Sequence, residues 1–233
     1  MINEFTDLKL SKNNLQSFII RSEILKAISV AIPTFHGEVL DSGCGCMPYK
    51  ELVLKNKLVK KYVGMDIDYG LNYSDVKPDI LWDGLVMPFD DNHFDIVIST
   101  EVLEHIADPY QYLNEVKRVL KPGGSFFFTV PFLMSLHEVP HDYYRYTPYA
   151  LDRIFNKVEF DTIKIKPMGG YHAAVAHMLG LWVNMFLWGN KKKLMRIVVQ
   201  PIISILYKND KPPLNFKKST MIVGLAGTVR KPF

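Results

Sequence analysis

A chain of 233 residues, 48% of them hydrophobic, is long enough for one buried core with an appendage and too short for two full domains to be expected. Its 28 basic and 24 acidic residues are spread along the sequence, which argues against nucleic acid as a partner. Cys44 and Cys46 are too close for an unstrained disulfide, Glu4 and Asp7 spoil a secretory leader, and no apolar run reaches the ~18 residues of a membrane span, so a reducing cytoplasm is expected.

In chain order, Leu15, Phe18, Ile19, Ile24, Leu25 and Ile28 recur near the helical period and predict a leading helix that Pro33 ends. Val39-Leu40 opens a first strand that runs into Asp41-Ser42-Gly43-Cys44-Gly45, and Tyr62 to Met65 forms a second that runs into Asp66. Ile80 to Trp82 before Asp83 is a third strand, Phe94 to Ser99 a fourth and Ser125 to Val130 a fifth, with a helix over Pro109 to Leu120 stopped by Lys121-Pro122-Gly123-Gly124. A helix over Thr147 to Asn156, a sixth strand over Glu159 to Lys166 and a last strand over Met221 to Val229 complete the series. Between the last two strands lie two apolar segments, Ala173 to Trp188 and Leu194 to Tyr207, split by Gly189-Asn190-Lys191-Lys192-Lys193, with Pro201 interrupting the second. Short apolar strands alternating with helices predict an α/β domain with a mostly parallel seven-stranded sheet, helices on both faces and a helical insertion before the last strand. The single domain divides into a leading helix (1–34), a core (35–168), the insertion (169–218) and the last strand (219–233).

The turn after the first strand carries the most chemistry. Gly43 and Gly45 let a ligand approach the backbone where a side chain would clash, and the following helix offers free amides. A dinucleotide turn calls for a third glycine where this chain has Pro48, which counts against a pyrophosphate cofactor and a nicotinamide enzyme. Asp66, 23 residues beyond Gly43, ends the second strand where a carboxylate can accept from both ribose hydroxyls of an adenosine, and Asp83 is placed one strand further on, toward the adenine. Cys44 and Cys46 supply too few ligands to close a tetrahedral zinc site, and His36 is at no familiar ligand spacing, so both are expected to be small packed thiols and no metal is expected.

Val39 to Gly45, Gly64-Met65-Asp66, Met87-Pro88-Phe89, Phe94 to Val97, Glu101-Val102-Leu103-Glu104-His105 and Arg118 to Gly124 together resemble, in order, the class I methyltransferases of the type 11 group, over roughly residues 35 to 165. The resemblance implies a Rossmann-like fold and S-adenosyl-L-methionine as cofactor. It implies that Asp41, Gly43 and Gly45 hold the methionine end, Asp66 the ribose, and Asp83 with Gly84 the adenine, with Glu101 on the wall nearest the sulfonium and Cys44 and Ile67 also among the cofactor-binding residues. The family often has a further glycine where this chain has Met47.

His137 and His141 are the expected bases, because a sulfonium methyl is already activated and a hydroxyl acceptor needs alignment and loss of its proton. Asp142 is the expected orienting partner, and Arg145 either clamps an anionic group or braces the loop. Thr147-Pro148 fits a helix cap followed by a first-turn proline. Pro140 to Thr147 also resembles a stretch found in type 11 methyltransferases of bacterial polysaccharide clusters, which implies a sugar or lipid-linked glycan hydroxyl as acceptor; direct in-line transfer, with no metal required, is the expected mechanism. A quinone or lipid acceptor, and a catalytically silent membrane or assembly subunit, are the alternatives. Ala173 to Trp188 is apolar nearly all round, with His177, Gly180 and Asn184 on one stripe. It must be hidden under one of three roles: a cap on the site, a homodimer contact, or peripheral contact with the inner face of a membrane through Lys191, Lys192 and Lys193.

Overall fold

Val39 and Leu40, Ile96, Val97 and Ile98, and Phe126, Phe127 and Phe128 are buried at consecutive strand positions, so both faces of their sheet are apolar and both need covering. In the computed structural model, which describes residues 4–67, 76–217 and 220–233, the strands are β1 (Gly37–Ser42), β2 (Val59–Ile67), β3 (Ile80–Trp82), β4 (Phe94–Thr100), β5 (Leu120–Pro131), β6 (Asp161–Met168) and β7 (Gly224–Arg230). They form one sheet in the order β3-β2-β1-β4-β5-β7-β6, in which β1 to β5 run parallel and β7 runs antiparallel to β5 and β6. The chain order reverses between β1 and β4, and the crevice at their carboxyl ends is where open α/β sheets take ligands.

The helices are α1 (Leu15–Ala31), α2 (Lys50–Leu54), α3 (Pro109–Val119), α4 (Pro148–Lys157), α5 (Tyr171–Phe186) and α6 (Gly189–Lys208). Residues of α1, α2, α5 and α6 pack with Val39, Ile96, Ile98 and Phe127 on one face, whereas those of α3 and α4 pack with Leu40, Val97, Phe126 and Phe128 on the other. The starts of α3 and α4 follow from capping. The Asp108 carboxylate accepts from the amides of Tyr110 and Gln111, the Thr147 hydroxyl from that of Ala150, and a proline occupies the first turn each time.

Three boundaries depart from the sequence expectation. β5 begins at Leu120, paired with Phe94, and Lys121 to Gly124 form an irregularity inside the strand, with Gly123 at φ +77°, instead of a separate turn. α6 begins at Gly189, so the lysine run is its first turn and not a linker. Pro201 lies within α6 without ending it: Pro201 and Ile197, whose carbonyl would otherwise bond the missing amide, are both exposed, so water can serve that carbonyl. The expected boundary at 218/219 lies outside the described residues.

The polar stripe of α5 faces inward. A Cβ on Gly180 would stand 2.1 Å from the Leu15 carbonyl oxygen, so the backbones of α1 and α5 touch there. His177 is fully buried, and the Asn184 side-chain amide donates to Gln16 on α1. The opposite face leaves Val175, Met178, Trp182, Met185 and Phe186 exposed. Among the described residues no helix is long and apolar enough to cross a membrane.

Candidate active site

β1 delivers its last residue, Ser42, to the crevice, and the chain then turns through two left-handed glycines, Gly43 at φ +76° and Gly45 at φ +50°. A Cβ on Gly43 would lie 2.3 Å from Val102 Cγ2, whereas one on Gly45 would meet nothing within 4 Å, so the turn packs tightly behind and is open in front. Met47 is also left-handed, at φ +52°, and its side chain fills the space over Gly64, where a Cβ would lie 2.5 Å from the sulfur. The Asp66 carboxylate ties the turn to the end of β2, accepting from Gly45 N at 2.7 Å and Ile67 N at 2.8 Å.

This turn and the ends of β2, β3 and β4 enclose a cavity of about 330 Å³. Ser42, Gly43, Cys44, Gly45, Asp66, Ile67 and Glu101 line it, as do Trp82, Tyr49 and Tyr112. Glu101 adopts φ +56° at the end of β4, held by its amide donating to the Thr129 carbonyl at 3.1 Å. Its Oε1 is buried without a hydrogen-bond partner, and burial pushes its pKa up to about 7. Tyr112 braces the floor, its hydroxyl reaching Ser42 Oγ at 3.0 Å and Ser99 Oγ at 3.2 Å.

Asp41 does not line the cavity. It sits behind the turn, buried, with the Tyr62 hydroxyl donating to Oδ2 and with Oδ1 unpaired, and burial raises its pKa to about 7. Asp83 and Gly84 likewise stand off the wall. The exposed Asp83 carboxylate accepts from the amides of Leu85 (2.8 Å) and Val86 (3.3 Å), closing its own turn, while Trp82 occupies the position expected of the acid. Cys44 is a buried free thiol raised in pKa by that burial, whereas Cys46 is free and exposed, contrary to the expected packing of both.

The opposite rim holds a cluster that the sequence reading caught only in part. His105, in a short 3-10 turn after β4, lines the cavity, with its Nδ1 on the His141 carbonyl at 2.8 Å and its Nε2 3.2 Å from His137 Nε2. His137 Nδ1 lies 3.2 Å from the Ser135 carbonyl and 3.4 Å from Asp142 Oδ2. His141 corrects the expectation: its ring is exposed, lies 3.0 Å from the Tyr143 hydroxyl and is absent from the cavity wall, so it serves through its carbonyl. Arg145 braces the loop. Its guanidinium grips Asp142 in a two-pronged pair at 2.6 and 2.8 Å and reaches the Ser135 carbonyl at 3.2 Å, which holds the Asp142 pKa well below the usual carboxylate range. Phe5 and Ile24 close the cavity from the leading segment, and no described residue of the 169–218 insertion lines it. His105 was missed although it ends the Glu101 to His105 stretch; its signal was a histidine one residue past an acid at a strand end.

A model of the methyltransferase-domain family matches residues 40–128. Over 112 residues the chain is 31% identical to the ubiquinone biosynthesis O-methyltransferase of Coxiella burnetii, an alignment covering 45% of this chain and 48% of that one. The chain spans less than half the length of the curated relatives it matches. A crystal structure of a SAM-dependent methyltransferase from Archaeoglobus fulgidus superposes with a TM-score of 0.55 at 17% identity, covering 95% of both chains. Haemonchus contortus phosphoethanolamine N-methyltransferase 2, in complex with S-adenosyl-L-methionine, superposes with a TM-score of 0.54 at 15% identity over 96% of this chain and 58% of that one. A glycine turn at the β1 end, an acid at the β2 end and the family match over residues 40–128 lead to one conclusion: this part of the chain is similar to the methyltransferase domains that use S-adenosyl-L-methionine.

Proposed function

We propose that this chain transfers a methyl group from S-adenosyl-L-methionine to a hydroxyl of a small acceptor, a sugar or lipid-linked glycan intermediate. The observation that carries this reading is Glu101, whose backbone is left-handed and whose Oε1 is buried without a partner, on the cavity wall with a glycine turn that is open in front. The residues fit the cofactor: Gly43 to Gly45 would take its methionine end, Asp66 and Ile67 the ribose and Trp82 the ring, with Glu101 beside the cationic sulfur. When bound, the cofactor supplies an activated methyl on a sulfonium. The chain's own work is to hold acceptor and methyl in line, to exclude water with Phe5 and Ile24, and to handle the acceptor proton at the His105 and His137 cluster. An O-methyltransferase among the relatives supports oxygen as the acceptor atom, and the intact cradle argues against a silent subunit. Incubation of a cell extract with labelled cofactor should add one methyl to a metabolite in the presence of the wild-type chain, and Glu101→Gln should slow this by about 10²-fold. An unlabelled extract, with cofactor binding intact, would count against transfer.

For the insertion, contact with an anionic membrane surface is favoured over a capping role, because none of its described residues lines the cavity. Lys191 and Lys193 are exposed at the start of α6, the end where a helix dipole disfavours cations, next to the exposed Met185, Phe186 and Trp188, whereas Lys192 donates to the Asn184 carbonyl at 2.6 Å. At low salt the chain should pellet with anionic vesicles and stay in solution with neutral ones; a chain indifferent to both would leave the face to another copy of itself.

A further inference from the structure

Glu104 is fully buried and neither of its carboxylate oxygens has a hydrogen-bond partner. Its backbone is tied to the 143–144 segment, the carbonyl accepting from the amides of Tyr143 at 2.8 Å and Tyr144 at 3.2 Å. A buried carboxylate without donors is costly unless it takes up a proton, toward which burial pushes Glu104, or a cation lies beside it. Arg145 is committed to Asp142, and the atoms facing Glu104 Oε1 are His105 Nε2 at 3.9 Å and His137 Nε2 at 4.0 Å.

The tautomers of both rings follow from their neighbours. A carbonyl oxygen only accepts, so His105 Nδ1 must carry a hydrogen for His141, and His137 Nδ1 must carry one for Ser135. Each Nε2 of a neutral ring therefore presents a lone pair, and these two lone pairs meet 3.2 Å apart beside an unpaired carboxylate. Three acceptors converging on one point call for a positive centre between them. Of the triangle's edges, 3.2, 3.9 and 4.0 Å, the first already matches the ~3.3 Å edge of a tetrahedron with 2.0 to 2.1 Å ligand distances, and the two to Glu104 close on it with a shortening of about 0.6–0.7 Å. The outer partners, the His141 carbonyl on one ring and Asp142 with the Ser135 carbonyl on the other, are of the kind that orients metal-bound histidines.

We propose that Glu104, His105 and His137 bind a divalent transition-metal ion of the zinc class at the rim of the cavity, with coordination positions left open on the side of His105 and Glu138, which line it. Glu138 Oε2, 3.8 Å from His105 Nε2, is placed to approach as a further ligand. The ion site stands without the methyl-transfer reading, but its use rests on that reading. An acceptor hydroxyl ligated there releases its proton to solvent more readily; its oxygen then forms the new bond to the methyl carbon as the carbon–sulfur bond breaks and the thioether leaves.

Metal-stripped full-length chain should bind one equivalent of Zn²⁺ by calorimetry, and one of Co²⁺ with visible absorption of low-symmetry coordination. His137→Ala and Glu104→Gln should each weaken this at least about tenfold, while His36→Ala, an exposed histidine before β1, should not. S-adenosylhomocysteine binding, measured on every variant, reports an intact cofactor cradle. If Glu104→Gln does not fold, His137→Ala on its half-exposed loop carries the comparison. No Zn²⁺ binding by wild type, or binding equal in wild type and His137→Ala, would overturn the site and leave a proton shared between the two rings. Loss of S-adenosylhomocysteine binding with Zn²⁺ binding intact would instead overturn only the methyl-transfer reading.

Discussion

Met47 shows how a residue can depart from a family pattern and keep its backbone. The family's glycine at this position answers a left-handed conformation, which Met47 adopts at φ +52°. The strain of about 1–2 kcal/mol is offset by burying a thioether over Gly64, worth about 1.5–3 kcal/mol. His177 is the residue to probe by pH. Burial lowers its pKa to about 4, so the folded chain refuses a proton that the unfolded chain accepts near 6.5. The stability tied to its neutral ring is present above pH 6.5 and is lost as pH falls toward 4, by about 3 kcal/mol. Chemical denaturation of His177→Leu between those limits should show a shallower loss than wild type; parallel curves would contradict the assignment. The glycines, Asp66 and Glu101 were legible because each ends a strand whose apolar residues announce it. Asp83 misled because the amides of Leu85 and Val86 claim its carboxylate, a local turn that competes with any ligand.

Among the elements, the contact of α1 with α5 bears on the cavity through α1, which contributes Ile24 to its wall. Gly180→Ala gains up to about 1 kcal/mol of helix propensity, but its methyl would meet a backbone oxygen at 2.1 Å, and overpacking there costs about 1–3 kcal/mol. The clash wins, so the variant should melt lower by about 2–4 °C for each kcal/mol lost; an unchanged or higher Tm would mean the helices are not in backbone contact. The helical stripe of His177, Gly180 and Asn184 was visible as a pattern, yet which element it met was not, because α1 is over a hundred residues away. The lysine run looked like a linker although lysine is a good helix former, and α6 absorbs it.

Over the whole molecule, the sheet puts its order reversal, the glycine turn and the two acids of β2 and β4 at one edge, and that much follows from strand periodicity and motif order. What did not follow is the far rim, where His105 meets a loop some thirty residues on and Phe5 folds across from the chain start. Such contacts have no period or spacing to betray them. The glycine turn, Asp66 and Pro48 suit this cradle to an adenosyl sulfonium cofactor and not to a dinucleotide. Calorimetry of the intact chain should show S-adenosylhomocysteine binding in the micromolar range, weakened at least about tenfold in Asp66→Ala, with no heat from NAD. NAD binding, or no response to S-adenosylhomocysteine in a chain that melts cooperatively, would contradict the account.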